Sequence, residues 1–269
     1  MTEAIIAHLG AVDPVMKQLI AIAGPLAMEG REEHSPFEAL ARAIAHQQLH
    51  AKAAQSILNR FIAGCGQGSF PAPAALLALA DAPLRAAGFS FSKIAALRDL
   101  ATKTQSGVVP HREALHGLSD LEIIERLTAV RGIGRWTVEM LLMFQLRRPD
   151  VLPVDDFGVR YGFRLAYGLR KMPAPKVLAM FGERWAPHRS AAAWYLWRAV
   201  DLARAGRLPP PSETLKLPRL PRKRRKIAAK PRPKTKRVAA SAARPERAGA
   251  RTRARRPPAR RSRAPAKKK

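Results

Sequence analysis

The sequence predicts an all-α domain followed by a disordered basic tail, and three observations support this prediction. Apolar residues recur at the helical period through most of residues 1–205, with few alternating β-branched runs. The composition changes sharply at Gly206, after which the chain has no aromatic residue and many prolines. Residues 206–269 also contain 25 Lys and Arg residues against two acidic ones, a composition that cannot bury a core. We therefore expect a helical domain over residues 1–205 and a disordered tail over residues 206–269.

The helices of the domain follow from the spacing of apolar residues. The 36 residues before Phe37 look helical, and the next stripe predicts one long helix or two abutting helices closed by Gly64. That stripe consists of Phe37, Leu40, Ile44, Leu49, Ala53, Ile57, Leu58 and Phe61. A further stripe over residues 94–101 predicts a helix that ends before Gly107.

Acidic residues mark the start of the next helix. Asp120 and Glu122 stand in its first turn, where they complement the helix dipole. Its predicted buried edge consists of Leu121, Ile124 and Leu127. Further helices are predicted over residues 136–144, 157–167, 174–184 and 189–205. With short connections and no detectable repeat, these segments predict an all-α domain.

Charge and cysteine content limit the functional classes. The chain has a formal net charge of +29, of which +23 falls on residues 206–269, so the tail is expected to neutralise phosphates without choosing a sequence. No segment approaches the roughly 20 apolar residues of a membrane span, and no signal peptide is recognised. We therefore expect no membrane partner and an intracellular protein, cytoplasmic and nucleoid-associated if bacterial. Cys65 is the only cysteine, which excludes a disulfide or a four-cysteine metal site within the chain.

The most informative motif is a glycine-containing turn over residues 127–137. Gly132 and Gly134 permit a tight hairpin and the close approach of another molecule. The amides around 132–135 would point outward at the start of the following helix, which is a favourable phosphate site, and Arg131 and Arg135 add positive charge there. The alternative is an ordinary corner between two helices.

A pair of carboxylates follows the second helix of the hairpin. Asp155 and Asp156 lie 21 and 22 positions beyond Gly134. A fixed carboxylate can stabilise the positive charge that develops on deoxyribose when an N-glycosidic bond breaks, and it can orient or deprotonate water. The alternative is that the pair only caps the helix that begins at Phe157.

The hairpin and the aspartate pair together resemble the helix-hairpin-helix DNA glycosylase superfamily, and most of all its 3-methyladenine DNA glycosylase II branch. The resemblance covers residues 37–205. It implies that the hairpin, including Ile133 and Thr137, binds phosphates of double-stranded DNA that contains a damaged base. It also implies Na⁺ or K⁺ held by backbone carbonyls near Thr128, Val130 and Ile133, with no other cofactor required.

The same resemblance assigns the chemistry to Asp156, with Asp155 as a helix cap or a supporting group. Counting back from Arg160, as in other members, favours Asp155 instead, so the choice stays open. Members that also cut the strand carry a lysine where this chain has Trp136. Because tryptophan cannot form a Schiff base, we expect a monofunctional enzyme.

Further site residues are implied by the resemblance alone. An enzyme that acts on a base within a duplex must flip it out and fill the gap. Gln48 is the first candidate for the inserted wedge and Leu49 the second, although a solvated glutamine is the alternative. The aromatic base pocket and the remaining DNA contacts are assigned to Trp197, Trp136, Trp185, Trp194 and Tyr195, and to Gln47, Arg189 and Ser190. The alternative for the aromatic residues is a place in the core.

The resulting functional hypothesis is a monomeric, monofunctional DNA glycosylase of base excision repair. It would excise alkylated purines, 3-methyladenine and also 7-methylguanine, by base flipping and aspartate-assisted hydrolysis. Cation–π attraction would favour a cationic base over its neutral parent. Two alternatives remain: a non-catalytic DNA-compacting protein, and a glycosylase for oxidised or deaminated purines. The tail, absent from the family pattern, is expected to hold the enzyme near DNA.

Overall fold

The computed structural model describes residues 2–28, 34–212 and 217. These residues form thirteen α-helices and one 3₁₀ turn at Glu183–Trp185, without any β-strand, so the all-α prediction is confirmed. None of these helices has the length and apolarity needed to cross a membrane. The helices are α1 (Thr2–Val12), α2 (Pro14–Ala23), α3 (Pro36–His46), α4 (Ala51–Cys65), α5 (Pro73–Ala78), α6 (Asp81–Ala87), α7 (Phe91–Gln105), α8 (Arg112–His116), α9 (Asp120–Thr128), α10 (Arg135–Phe144), α11 (Phe157–Ala166), α12 (Pro175–Gly182) and α13 (Arg189–Arg204).

Local capping fixes where several helices begin. Helix α9 starts at Asp120, as predicted, because Ser119 and Glu122 form a capping box in which each side chain accepts from the other residue's amide. The predicted buried edge of α9 is wrong at Leu121, which is 70% exposed. Ile123 and Leu127 are the buried residues of this helix, because they lie four positions apart on the face that packs against the core.

The stripe predicted over residues 37–61 is divided between two helices. Helix α3 ends at His46 and α4 begins at Ala51, and a turn at residues 47–50 joins them. Gln48 has a φ of 59°, a left-handed conformation that interrupts the helix. Leu49 lies in this turn and is 39% exposed, so it does not belong to the buried stripe.

A buried carboxylate ties three parts of the domain together. Asp13 caps α2 through the amides of Val15 and Met16, and its Oδ2 accepts from the Tyr167 hydroxyl (2.6 Å) and the Trp185 indole (2.9 Å). Burial beside Asp13 raises the pKa of the Tyr167 hydroxyl well above its ordinary value. Four hydrogen bonds therefore compensate for the burial of Asp13 and connect α2 with α11 and the 3₁₀ turn.

Helices α11 and α13 pack closely and bring their side chains to one site. Gly162 of α11 lies against the backbone of Leu196, because a Cβ at Gly162 would come within 1.9 Å of the Leu196 carbonyl oxygen. Any side chain at this position would separate the two helices. Their contact places the start of α11, which carries the aspartate pair, beside Trp197 of α13.

Residues just beyond the predicted boundary at Ala205 contact the helical domain. Helix α13 ends at Arg204, but the Gln18 side chain bonds to the Pro210 carbonyl and to the Ser212 amide. Leu208 also packs against the hydrophobic core. These contacts hold the first residues of the predicted tail on the domain. The rest of the predicted disordered segment lies outside the described residues, apart from Leu217.

Candidate nucleic-acid interface and carboxylate site

The hairpin between α9 and α10 has the geometry of a tight turn. Gly132 adopts a φ of 78°, which favours glycine, and the Ile133 amide donates to the Val130 carbonyl (3.0 Å). Gly134 caps α10 without a side chain, so the amides of Arg135 and Trp136 lie in the first turn, where no intrahelical acceptor exists. Such amides, at the positive end of a helix dipole, are suited to an anion.

Not every predicted contact of the hairpin is available to DNA. Ile133 is buried, so its side chain belongs to the core, and its amide is already bonded within the turn. The Thr137 amide donates to the Gly134 carbonyl (3.0 Å), and the Arg131 amide donates to the Asp99 carboxylate (2.7 Å). Among the predicted residues, the exposed side chains of Arg131 and Arg135 and the first-turn amides of α10 remain suited to phosphate.

Helix α7 holds the hairpin from the side. Besides the Arg131 amide, Asp99 accepts from the Lys103 ammonium (2.7 Å), which in turn donates to the Ala129 carbonyl (2.7 Å). Partial burial disfavours the charged Asp99 carboxylate, but the bonds from Arg131 and Lys103 outweigh it and lower the pKa of Asp99. The Asp99–Lys103 ion pair thus bonds to two backbone groups of the hairpin, the Arg131 amide and the Ala129 carbonyl.

Asp156 is held by donors from three helices. Its Oδ1 accepts from the Val159 amide (2.7 Å) and the Trp197 indole (2.9 Å), and its Oδ2 accepts from the Trp136 indole (2.7 Å). Asp156 is also the N-cap of α11, which agrees with the alternative that the aspartate pair caps the helix beginning at Phe157. Of the two roles expected for Asp155, helix cap or supporting group, the cap is wrong because α11 begins one position later than a cap at Asp155 requires. Asp155 is exposed, and Asp156 is partly buried.

A third carboxylate lies near the pair. Glu139 is 3% exposed and accepts from the Arg135 Nε (2.8 Å). Burial raises the pKa of the Glu139 carboxyl, and the charges of Asp155 and Asp156 add to this effect while the Arg135 guanidinium opposes it. The exposed Arg135 guanidinium of the hairpin is therefore anchored to a buried acid near the aspartate pair.

Aromatic residues contact Asp156 or lie next to it in the chain. Trp136 is 49% exposed although its indole nitrogen bonds to Asp156, and Phe157, the residue after Asp156, is 66% exposed and stacks on Tyr161. Trp197 is half-buried and stacks on Phe144, with ring centroids 5.9 Å apart. Large apolar side chains at the surface next to a carboxylate are suited to a flat, positively charged ligand.

The structure corrects the remaining aromatic predictions. Trp185 and Tyr195 are fully buried, so neither can line an open base pocket. The Trp185 indole bonds to Asp13, and the Tyr195 hydroxyl donates to the Gly24 carbonyl. Trp194 is partly buried and contacts the Tyr195 ring and the Arg198 guanidinium. These three residues belong to the core or its edge because the 3₁₀ turn buries Trp185 and one face of α13 buries Tyr195.

Two predicted DNA contacts at the start of α13 are also used within the protein. Ser190 is 2% exposed, and its hydroxyl donates to the Arg148 carbonyl (2.7 Å) and accepts from the Val151 amide. The Arg189 guanidinium donates to both oxygens of Asp150 (2.8 and 2.9 Å). The prediction for Ser190 is wrong, because this end of α13 packs on residues 148–151. The charge of Arg189 is paired there as well.

The turn between α3 and α4 lies against the hairpin. The Gln47 amide nitrogen donates to the Gly132 carbonyl (2.7 Å), so this side chain bonds to the hairpin itself. Gln48 and Leu49, the two wedge candidates, are both exposed. His46 and His50 flank the turn. Within the described residues there is no group of three or more His, Cys, Asp or Glu side chains that could hold a metal ion.

Several residues of this site were not found from the sequence. Asp99, Lys93 and Lys103 resemble ordinary surface charges of a helix, and nothing in their spacing indicates contacts 26 to 48 positions away. Phe157 could have been found, because it directly follows the aspartate pair. Nothing in the sequence indicates a role for Gly158. The absence of a side chain there leaves room for Trp197, whose Cδ1 would lie 2.7 Å from a Cβ at this position.

The chain is similar to known proteins of base excision DNA repair. Residues 41–187 match the HhH-GPD superfamily of base excision DNA repair proteins, and the chain belongs to that family. It is 45% identical over 197 residues to DNA-3-methyladenine glycosylase 1 of Schizosaccharomyces pombe, covering 73% of this chain and 86% of that protein.

Two solved structures are similar along most of their length. The S. pombe 3-methyladenine DNA glycosylase in complex with abasic DNA is 44% identical, with a TM-score of 0.67 over 74% of this chain and 98% of the other. A DNA-3-methyladenine glycosidase from Bacillus halodurans is 36% identical, with a TM-score of 0.68 over 74% and 91% of the two chains.

Proposed function

We propose that this protein is a DNA glycosylase that excises alkylated purines, 3-methyladenine and also 7-methylguanine, in base excision repair. One observation carries the proposal: the first turn of α10 contains both the outward amides of the hairpin and Trp136, whose indole holds Asp156. A phosphate bound at the hairpin would therefore lie about one helical turn from the side chain that orients the carboxylate. The names of the relatives support the choice of substrate.

The chemistry follows from the state of the substrate. An alkylated ring nitrogen makes the purine cationic, so the base is already a good leaving group and needs no general acid. As the glycosidic bond breaks, positive charge moves to the deoxyribose, and a fixed carboxylate stabilises it. Asp156 is positioned for this role, since three donors fix both of its oxygens before the substrate binds.

Base selection would come from the exposed rings. Trp136 is half-exposed and Trp197 is half-buried, and both bond to Asp156, while Phe157, the next residue in the chain, is exposed. A cationic base is attracted to such faces by about 0.5–2 kcal/mol per contact relative to its neutral parent. The exposed Gln48 would fill the gap left by the flipped base.

Asp156→Asn, compared with Asp155→Asn, tests the catalytic assignment. Asparagine caps a helix nearly as well as aspartate, so α11 should remain intact. Because the charge at the reacting sugar is lost, we expect Asp156→Asn to lower the single-turnover excision rate by about 10²–10³ or more. Asp155→Asn should change that rate by no more than about threefold, since Asp155 is exposed and makes no such bonds. The reverse ranking would transfer the role to Asp155.

Mass spectrometry of bases released from methylated genomic DNA tests the substrate class. Release of 3-methyladenine and 7-methylguanine is expected. Release of only oxidised or deaminated purines from suitably damaged DNA would favour the second class of glycosylase. If no base is released under single-turnover conditions, the protein is a DNA-binding protein without this activity.

We also propose that the enzyme does not cut the strand. Trp136 has no amine that could form a Schiff base with the sugar, and its indole is bonded to Asp156. Borohydride should therefore trap no covalent adduct between the protein and lesion-containing DNA. A trapped adduct would show lyase activity.

A monovalent cation at the hairpin fits the residues present. The Thr128 and Ile133 carbonyls accept no hydrogen bond within residues 34–212, and the Val130 carbonyl keeps one lone pair beside its bond from Ile133. Three neutral oxygens suit Na⁺ or K⁺, whose charge would attract a phosphate to the hairpin. We propose no other cofactor. Exchange of K⁺ for a large organic cation at constant ionic strength should then weaken DNA binding, and unchanged affinity would contradict the cation site.

The basic tail is proposed to keep a monomeric enzyme near genomic DNA in the cell. It carries most of the net charge but no aromatic residue that could read a base. Its contacts would be with phosphates, so they would raise the local concentration of DNA without selecting a lesion. Analytical ultracentrifugation tests the monomeric state, for which sedimentation as a dimer would be the contrary result.

A further inference from the structure

The turn that carries the wedge candidate has a strained backbone. Gln48 has a φ of 59°, a left-handed conformation that is unfavourable for an ordinary side chain and persists only where neighbours enforce it. The side chains of Gln48 and Leu49 themselves extend to the surface. Contacts that enforce this conformation can therefore act on the backbone, at the end of α3 and at the start of the turn.

Lys93 of α7 makes such contacts. Its ammonium donates to the Ala45 carbonyl (2.8 Å) and to the Gln47 carbonyl (2.9 Å). The last carbonyls of a helix have no intrahelical partner, and a cation at this end also complements the helix dipole. Lys93 is partly buried, and this burial lowers the pKa of its ammonium.

Gln47 links the same turn to the hairpin. Its amide nitrogen is 2.7 Å from the Gly132 carbonyl oxygen, across 85 positions of sequence. Gly132 also lies close to Ala96 of α7, since a Cβ at Gly132 would be 3.6 Å from the Ala96 Cβ. The wedge turn, the hairpin and α7 therefore meet at one place.

We propose that Lys93 and Gln47 are positioning residues for base flipping: they hold the strained turn against the hairpin, so that Gln48 enters the duplex at a fixed distance from the bound phosphates. The inference rests on the proposed function, because it requires Gln48 to be the wedge. A turn free to adopt several conformations would have to be ordered during flipping, which would slow that step. Lys93 and Gln47 hold the turn in one conformation before the base is flipped.

A double-mutant cycle with Lys93→Met and Gln48→Ala tests the proposal. The readouts are the saturating single-turnover excision rate and the fluorescence of 2-aminopurine placed beside the lesion, which reports flipping. Each single variant should lower the excision rate about tenfold, because one set of contacts is lost. The double variant should be no more than about threefold slower than Gln48→Ala alone, because Lys93 acts through Gln48.

Lys103→Met is the matched control on the same helix. Its ammonium bonds to the hairpin carbonyl of Ala129 and not to the wedge turn. It should raise the enzyme concentration needed for half-saturation with DNA. When Lys103→Met is combined with Gln48→Ala, the fold-changes of the two variants in the excision rate should multiply, because the two residues act independently. Gln47→Ala serves as a second variant in the cycle, should Lys93→Met fold poorly, because the Gln47 side chain lies at the surface of the domain.

The outcomes separate the inference from the proposed function. If Gln48→Ala changes neither flipping nor excision, Gln48 is not the wedge, and the positioning role is overturned with it. If Gln48→Ala slows flipping but Lys93→Met and Gln47→Ala multiply with it undiminished, the glycosylase mechanism stands and the positioning role is wrong. The proposal is supported if Lys93→Met and Gln47→Ala are each coupled to Gln48→Ala, whereas the effect of Lys103→Met multiplies with that of Gln48→Ala.

Discussion

Replacement of Gly158 by alanine should damage the carboxylate site without unfolding the domain. Gly158 lies in the first turn of α11, directly below the Trp197 indole. An added Cβ would be 2.7 Å from Trp197 Cδ1, 2.9 Å from Trp197 Nε1 and 3.1 Å from Asp156 Oδ1. These distances are shorter than van der Waals contacts, so the indole must move away from the carboxylate.

The expected magnitudes differ for stability and catalysis. Alanine favours the helix by about 1 kcal/mol over glycine, whereas the overpacking costs about 1–3 kcal/mol, so the net loss of stability should be about 0–2 kcal/mol. The indole cannot retreat freely because it stacks on Phe144. Loss of its hydrogen bond to Asp156 removes about 1.5–3 kcal/mol, as for other bonds to charged groups. If the whole of this loss raises the activation free energy of excision, the excision rate falls by about 10- to 150-fold.

Single-turnover excision of a methylated base and urea denaturation measure the two effects. Gly64→Ala is the matched control: Gly64 lies within α4, and a Cβ there meets no atom within 4 Å. It should gain up to about 1 kcal/mol of stability and keep its excision rate. Excision by Gly158→Ala within about twofold of the unmodified protein would refute the reasoning that the Trp197–Asp156 bond is needed.

Three further predictions concern the indole, the buried acid and the tail. Trp197→Phe keeps an aromatic ring but removes the donor, so single-turnover excision should fall about tenfold; an unchanged rate would count against the bond. Asp13→Ala removes a helix cap and leaves the Tyr167 hydroxyl and Trp185 indole without an acceptor. Urea denaturation should show a loss of about 3–5 kcal/mol, and under about 1 kcal/mol would contradict this account. Truncation after Arg222 removes 21 Lys and Arg residues and should flatten the salt dependence of binding, whereas a slower saturated excision rate would contradict the tether.

Much of the fold could be predicted from the sequence, because its signals are local. Apolar spacing within each segment indicates a helix, and the acidic residues Asp120 and Glu122 in a first turn mark where one begins. The glycine hairpin and the aspartate pair were also recognisable, since each is a short run of residues. The face of a helix that is buried could be predicted less well from the sequence than the helix itself. Leu121 faces water although its spacing fits a buried edge, because one turn of helix leaves more than one face for the core to select.

The sequence by itself determined the helical class, the sharp change to a basic tail, and a hairpin followed by carboxylates. Only the tertiary structure decided which tryptophans contact the Asp156 carboxylate. Trp136 and Trp197 reach Asp156 from 20 and 41 positions away, whereas Trp185 bonds to Asp13 across 172 positions. The physical reason is that an indole seeks an acceptor in space, and the packing of α10, α11 and α13 decides which carboxylate lies within reach.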